Sequence, residues 1–355
     1  MSGVKCTSNT MMRNNDTKER NERTATKGTA GIPRRILAAA VLFWCMTCFT
    51  GCGRVITNSY ESARAASEQI NPMVTSQTIS VREKPFATGL CLPEDTAASK
   101  NKGLAVKDAG LFDLKTKTTL YGSGLTERVY PASTTKLMTA LVAVKNGSPQ
   151  QRIRISERAA YPGADAQRLV LDPGDSMTLE QALNYLLVFS ANDVAIAIAE
   201  NIGGSYDEFV RMMNDEAKSL GATGTHFTNP HGLHDDDHYT TPYDLYLILN
   251  EAVKYDLIRG ILPKSEYNTT FTGEDGESKS IAVRATDAYL TGEVDPPDGI
   301  TVIGGKTGTT ELAGHCLVIY TENEKKHHYI SVLMKTESLD DLYDGMNSLL
   351  SQIPN

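Results

Sequence analysis

The chain has 355 residues, 40% of them hydrophobic, with 35 Lys/Arg against 43 Asp/Glu and a formal net charge of −8. That length buries a full core and accommodates one large domain or two small ones. The acidic balance argues against nucleic-acid binding and against charge-driven docking on anionic lipid, and the absence of any internal repeat argues against a fibrous protein.

Residues 1–35 are polar and hold eight Lys/Arg against three Asp/Glu. Arg34 and Arg35 lead into ILAAAVLFWCMTCFT (36–50), an uncharged run of 15 residues. Such a run is short for a membrane-spanning helix and the right size for a signal-peptide core with its basic flank inside. It ends at Phe49-Thr50-Gly51-Cys52, which is similar to the lipobox of bacterial lipoproteins, whose cysteine is lipidated and becomes the new N-terminus. Phe49 stands where that motif usually has leucine, and the basic lead is long, so Met11 or Met12 is an alternative start. A retained anchor and an ordinary secretory signal are the competing readings. Residues 1–52 are thus expected to be an export segment with Cys52 lipidated, and the protein is expected at the extracytoplasmic face of the bacterial membrane.

From Gly53 to Lys102 the sequence is rich in Ser, Thr, Asn, Ala and charge without a sustained period, as expected of a flexible tether (53–102). Four of the six cysteines lie in or before the export segment. Cys91, in the tether, and Cys316, in a strand pattern, remain. Two cysteines form no disulfide framework.

Order is expected from about residue 103. LAVKDAGLFDL (104–114) and KTTLYG (117–122) predict a strand pair turning at Asp113–Lys117. YPASTTKLMTALVAV (130–144) then reads as the head of a buried helix: Pro131 suits a first turn, and Leu137, Met138, Leu141 and Val142 recur at helical spacing. Residues 150–265 read as mainly helical. Thr178 and Gln181 form a capping box before TLEQALNYLLVF, two further helical runs stop on glycine, and TPYDLYLILNEAV opens on proline. Strand patterns return at 266–273, 299–308, 314–322 and 327–337, and an amphipathic stretch at 338–353 closes the chain. Strands at both ends with helices between predict an α/β (α+β) domain over 103–355. It would hold one sheet built from the two ends and a helical subdomain at about 150–265.

Lys136 lies on the buried helix one turn after Ser133, and burying an ammonium is costly unless it is paired or loses its proton. A neutral Lys136 on the same face would take the Ser133 hydroxyl proton and make the serine a nucleophile. The S-x-x-K pattern alone is weak, because Ser2–Lys5 and Ser99–Lys102 match it too. A second cation, which would push the Lys136 pKa down, is on offer in GGKTGTT (304–310). There Gly308 lets a ligand approach the backbone, and Thr307 and Thr309 place hydroxyls beside Lys306, a set suited to a carboxylate. Ser190 and Asn192 fall between two apolar helices. Each element has a plain structural explanation: Ser133 a cap with Lys136 snorkelling, Ser190 or Asn192 a cap, Lys306 a strand-end charge. Together and in order, S-x-x-K, S-x-N and K-T-G form the set found in penicillin-binding proteins and class A β-lactamases.

On these motifs, and on YPASTTKLMTALVA, TNPHGLHDDDHYTTPYDL (228–245) and GGKTGTTELAGHCLV (304–318), the chain resembles the serine D-alanyl-D-alanine carboxypeptidases. These are the low-molecular-mass penicillin-binding proteins, and the likeness runs over roughly residues 103–353. The resemblance implies the β-lactamase/transpeptidase-like fold, an antiparallel sheet flanked by helices plus a helical subdomain with the site in the cleft between. It implies removal of the terminal D-alanine from peptidoglycan stem pentapeptides through an acyl-enzyme, acylation by penicillins and other β-lactams, no cofactor and no metal. Ser133 would be the nucleophile, Lys136 the general base and Ser190 a proton relay held between Lys136 and Lys306. Asn192 would bind the substrate amide, and Lys306 with Thr307, Gly308 and Thr309 the terminal carboxylate. The N–H groups of Ser133 and Thr309 would form the oxyanion hole.

The chain departs from that pattern in two ways. Many relatives carry a β-rich C-terminal domain and membrane anchor, whereas the residues after Gly308 suffice only for the remaining strands and a helix, which leaves anchoring to the N-terminus. Position 309 is threonine where many relatives have histidine. Three rivals remain: a class A-like β-lactamase, which would need an E-x-x-L-N loop that is not found between Asn192 and Lys306; a D,D-endopeptidase on cross-links; and a non-catalytic peptidoglycan-binding lipoprotein. HGLHDDDH (231–238) has ligand-like spacing for a metal, but reads better as a solvated acidic loop.

Overall fold

The computed structural model of the chain describes residues 89–94, 106–163 and 166–354. The expected export segment, most of the tether and Cys52 lie outside the described residues. Strand β1 (Ala109–Asp113) pairs antiparallel with β2 (Thr118–Ser123). Their turn is tied by Asp113, whose Oδ1 accepts from the N–H groups of Lys115 and Thr116, an Asx-type closure that competes well with continued strand. Helix α1 (Lys136–Asn146) follows, with Leu137, Met138 and Leu141 fully buried. Each such side chain contributes roughly 1.5–3 kcal/mol of burial.

Beyond α1 come β3 (Arg152–Arg154), α2 (Glu157–Ala160), β4 (Ser176–Thr178) and α3 (Leu179–Asn184), the last headed by the expected capping box of Thr178 and Gln181. A π-helical turn over Tyr185–Phe189 leads to α4 (Asn192–Gly203), which stops at Gly204 in the left-handed region (φ 73). Then follow α5 (Tyr206–Ser219), capped by Ser205, α6 (Pro242–Ala252), capped by Thr241, and α7 (Asp256–Ile261). A hairpin of β5 (Glu266–Thr272) and β6 (Ser278–Arg284) precedes the short α8 (Ala288–Thr291). The chain finishes with β7 (Ile300–Thr310), β8 (Gly314–Asn323), β9 (His328–Thr336) and α9 (Leu339–Leu350).

The main sheet has the order β2-β1-β9-β8-β7, so the two ends of the domain do build it. Period-two alternation along β8 divides its side chains between two layers. Cys316, Val318 and Tyr320 join the large core beneath α1 and α6, while Leu317 and Ile319 join the smaller core under α9. A helix thus covers each face, and β7 is left at an edge.

Two expectations need correcting. The strand at 266–273 does not enter the main sheet; as β5 it pairs with β4 and β6 in a second, four-stranded sheet of order β3-β4-β5-β6. Strands β3 and β4 have three residues each, too few to show a period, and both lie inside the stretch read as helical. Residues 89–94, expected within the tether, pack on the domain instead. Cys91 is fully buried, its N–H donates to Tyr246 Oη (2.9 Å), and its carbonyl accepts from Tyr243 Oη (2.8 Å). Those tyrosines come from α6, far along the chain, and so the anchorage leaves no local signal. Cys91 and Cys316 are both free thiols.

Candidate active site

The stretch before α1 turns more tightly than an α-helix. Residues Ala132–Thr135 form a 3-10 turn that passes into α1 at Lys136. In such a turn the side chains at i and i+3 eclipse, and Lys136 Nζ lies 2.8 Å from Ser133 Oγ. Ala132 holds φ at 46°, which is unfavourable by about 1–3 kcal/mol for a residue with a Cβ. The loop before α6 presses on it: a Cβ at Gly232 (φ 88°) would stand 1.8 Å from Ala132 O. Only glycine allows that approach.

Lys136 is fully buried. Besides Ser133 Oγ, its Nζ bonds Asn192 Oδ1 (2.7 Å) and the His231 carbonyl (2.6 Å). The last two can only accept. A neutral amine has two N–H groups and one lone pair, so with both N–H groups on those acceptors the lone pair faces Ser133, the one partner able to donate. Burial first, and then repulsion from Lys306, hold the Lys136 pKa well below its ordinary value; the charge of Asp193 opposes them.

Lys306 comes from β7 and is also buried. Burial pushes its pKa down to about 7 against the pull of Asp287, and its Nζ donates to Thr307 O (2.9 Å). Next along the strand, a Cβ at Gly308 would lie 2.9 Å from Ser133 N. Thr307 Oγ1 is 2.6 Å from Thr286 Oγ1, and Thr309 Oγ1 is 3.2 Å from His315 Nδ1. Ser190 ends the π-helical turn in the left-handed region (φ 68°). Neither Ser190 nor Asn192 caps a helix N-terminus with its side chain: Ser190 is the C-cap of the π-helical turn through its backbone, and the N-cap of α4 is Ala191, with no side-chain capping bond. Ser133, Ser190, Asn192, Thr307, Gly308 and Thr309 line one cavity of about 320 Å³.

A family model described as D-alanyl-D-alanine carboxypeptidase, peptidase S11, matches residues 95–338. This chain belongs to that family. Its relatives include the D-alanyl-D-alanine carboxypeptidase DacF of Bacillus subtilis, 35% identical over 191 residues, 52% of this chain and 49% of the relative. DacA of Haemophilus influenzae is 31% identical over 232 residues, 63% of this chain and 55% of the relative. The chain therefore spans about half the length of these two. The D-alanyl-D-alanine endopeptidase of Escherichia coli is 31% identical over 230 residues, 64% of this chain and 70% of the relative. Among solved structures, the Streptomyces K15 DD-transpeptidase is 25% identical and superposes with a TM-score of 0.65 over 71% of this chain and 98% of its own. The fold is that of the DD-transpeptidases and β-lactamases, as expected.

As a member of the S11 family, the chain brings together the motif residues Ser133, Lys136, Ser190, Asn192 and Lys306–Thr309, with one difference. The expected bridge from Ser190 to both lysines is not formed: the bonds of Lys136 go to Ser133, Asn192 and His231, and Lys306 bonds Thr307 O. Three partners already saturate Lys136. The HGLHDDDH loop works from inside the scaffold. His231 lends its carbonyl to Lys136, and its ring is buried, with the pKa down to about 3 chiefly through burial. His238 Nδ1 accepts from Thr228 N–H (2.9 Å), which leaves Nε2–H to donate to Thr135 Oγ1 (2.8 Å) beside the Ser133 turn. His234 and Asp236 pair with each other near the surface.

The reading of the sequence missed Gln167, Asp193, Thr286 and Asp287. Gln167 lines the cavity, and its carbonyl accepts from Asn192 N–H (2.8 Å). Asp193 is fully buried and accepts from Leu169 N–H (2.7 Å), pinning that wall to α4. Its position directly after S-x-N, as an acid at the head of the apolar run 194–199, was the available signal. Thr286 and Asp287 lie in a stretch with no distinctive pattern.

Proposed function

We propose that the protein is a serine D,D-carboxypeptidase that removes the terminal D-alanine from peptidoglycan stem pentapeptides through an acyl-enzyme, and that β-lactams acylate the same serine. The observation that carries this reading is the buried Lys136 Nζ 2.8 Å from Ser133 Oγ, with its other bonds on groups that only accept. In this reaction Lys136 takes the hydroxyl proton as Ser133 attacks the carbonyl of the penultimate residue. The N–H groups of Ser133 and Thr309 hold the oxyanion, an arrangement worth about 2.7–4 kcal/mol per donor in comparable sites. Asn192, its Oδ1 engaged by Lys136, offers its Nδ2 to the substrate amide. Lys306, Thr307 and Thr309 bind the free carboxylate, which gives the exo-specificity. Ser190 relays the proton to the leaving amine, for which it must turn onto a lysine in the substrate complex, where catalytic hydrogen bonds tighten. Water then releases the acyl group.

A second reading, cleavage of D-alanyl cross-links, is favoured by the likeness to the E. coli endopeptidase. Export belongs to the proposal as well, with residues 1–52 as the signal and Cys52 as the lipid-bearing anchor at the outer face of the membrane. The test uses the full chain with a fluorescent penicillin and with diacetyl-Lys-D-Ala-D-Ala, beside Ser133→Ala. Covalent label and D-alanine release, both abolished by the substitution, are expected. Label with cross-link cleavage and no release from the tripeptide would establish the endopeptidase instead, and absence of label on folded protein would overturn the acyl-enzyme.

A further inference from the structure

Thr286 and Asp287 stand behind the K-T-G strand. The Thr286 hydroxyl is 2.6 Å from that of Thr307, and its N–H donates to Val188 O (3.2 Å). One residue therefore ties β7 to the turn that delivers Ser190. Asp287 follows on the buried side, 3% exposed. Its Oδ1 accepts from Tyr289 N–H (3.1 Å), while Oδ2 is buried with no hydrogen-bond partner. A carboxylate oxygen in that state is costly, and the N-cap that the side chain makes for α8 through Oδ1 does not offset it.

The opposite charge that Asp287 feels is Lys306. The lysine draws the Asp287 pKa down while burial raises it to about 6, and Asp287 in turn pulls that of Lys306 up. The other ionisable groups facing Asp287 are Tyr343 from α9, whose hydroxyl accepts from Ala288 N–H (2.8 Å) and also helps to draw the Asp287 pKa down, Tyr289 from α8, and Lys264, which lines the same small cavity and donates to Asn184 Oδ1 (2.6 Å). On the cleft side the ionisable groups coupled to this pair are Lys136 and, beyond it, Asp193. Thr286 lines the cleft with Thr307 and Thr309. Asp287 does not line the cleft; it lines a small neighbouring cavity with Lys264, Leu262, Leu290, Gly305 and Thr286, which borders both. Its charge therefore acts on Lys306 through space and from outside the cleft that would receive a substrate carboxylate.

We propose that Asp287 is a positioning residue for the carboxylate subsite: it is the counter-ion that keeps the buried Lys306 charged, while Thr286 orients the Thr307 hydroxyl. The inference rests on the carboxypeptidase reading of Lys306. In the resting site Lys136 is neutral and Lys306 and Asp287 cancel, so an incoming carboxylate finds a cation already in place. Removing the Asp287 charge leaves Lys306 with burial alone, and it gives up its proton at lower pH. Binding of the carboxylate then fails first on the alkaline side.

The test compares wild type, Asp287→Asn and Asp287→Glu for D-alanine release from diacetyl-Lys-D-Ala-D-Ala between pH 5 and 9. For wild type, KM is expected to rise as pH passes about 7, the value for Lys306. In Asp287→Asn that midpoint moves down by about one unit, so KM at pH 7.5 rises by up to about tenfold. The kcat at pH 6 stays within about twofold of wild type, and Asp287→Glu restores the midpoint. Should the amide fail to fold, Asp287→Ser must give the same shift. A folded neutral variant whose midpoint does not move overturns the inference, as does one losing kcat alone. A wild type that neither labels with penicillin nor releases D-alanine overturns the carboxypeptidase reading itself, and does so before any variant is compared. If it labels without release, the pH dependence of penicillin acylation, which also engages a carboxylate, reads the same midpoint.

Discussion

Gly308 and Ser133 meet backbone against backbone, with the place of a Cβ on Gly308 only 2.9 Å from Ser133 N and 3.0 Å from Pro131 O. The first hydrogen bond of the nucleophile turn runs from Thr134 N–H to Pro131 O, which leaves the Ser133 N–H among the unpaired donors of a helix start. Seated on the edge strand β7, that donor lies beside the strand carrying Thr309. Gly308→Ala should push the two apart and lower penicillin acylation by about 10²–10³-fold, as loss of one oxyanion donor does, with a native circular dichroism spectrum. Stopped-flow acylation checks it, and an unchanged rate would remove Ser133 N from the oxyanion site.

Lys136→Met keeps the volume of the buried stem and removes the base. Acylation should fall by about 10²–10⁴-fold. Stability responds with a definite sign. The folded-state pKa of Lys136 is depressed, so below the ordinary lysine value the unfolded chain binds more protons, and wild type loses stability as pH falls toward the folded pKa. The melting temperature of Lys136→Met relative to wild type should therefore improve from pH 9 to pH 6. A constant difference would mean that the lysine is charged in the folded protein.

Asn192→Asp places a carboxylate 2.7 Å from Lys136 Nζ, at the position of the present Oδ1. A neighbouring anion raises a lysine pKa, so acylation at pH 7 should drop at least about tenfold and recover as pH rises. Asn192→Ala should lose rate without that recovery. Matching pH profiles for the two variants would show that the contact does not tune the base.

His238 is held as the Nε2–H tautomer by Thr228 N–H on one side and Thr135 on the other. Burial lowers its pKa to about 3 from 6.5. Between those values the unfolded state binds the additional proton, so this group withdraws stability as pH falls through that window. His238→Gln should flatten the fall in melting temperature between pH 6 and pH 4. Asp193 and Asp287, both raised to about 6, act in the opposite direction over part of that range. An unaltered acid slope in the variant would show that the histidine does not contribute to it.

Much of the fold was legible because its signals are local. The Thr178–Gln181 capping box, the glycines ending α4 and α5, Pro242 at the head of α6 and the alternation along β8 all act within a few residues. The second sheet was not legible. β3 and β4 are too short to declare a period, and β5 and β6 alternate equally well wherever they pair, so their partner is fixed only by packing against the π-helical turn and α3. Cys91 illustrates the same limit, since what orders it is a pair of tyrosine hydroxyls from α6.

By itself the sequence named the groups proposed to carry the chemistry: Ser133 and Lys136 one turn apart, Ser190 and Asn192 between apolar helices, and Lys306 on a strand with glycine and threonines. Residue type and short spacing are enough for that. Only the tertiary structure decided the states of those groups. The protonation of Lys136 depends on full burial, on two pure acceptors from α4 and the His231 loop, and on the field of Lys306. Desolvation and charge act through space, between residues that the chain keeps far apart until it folds.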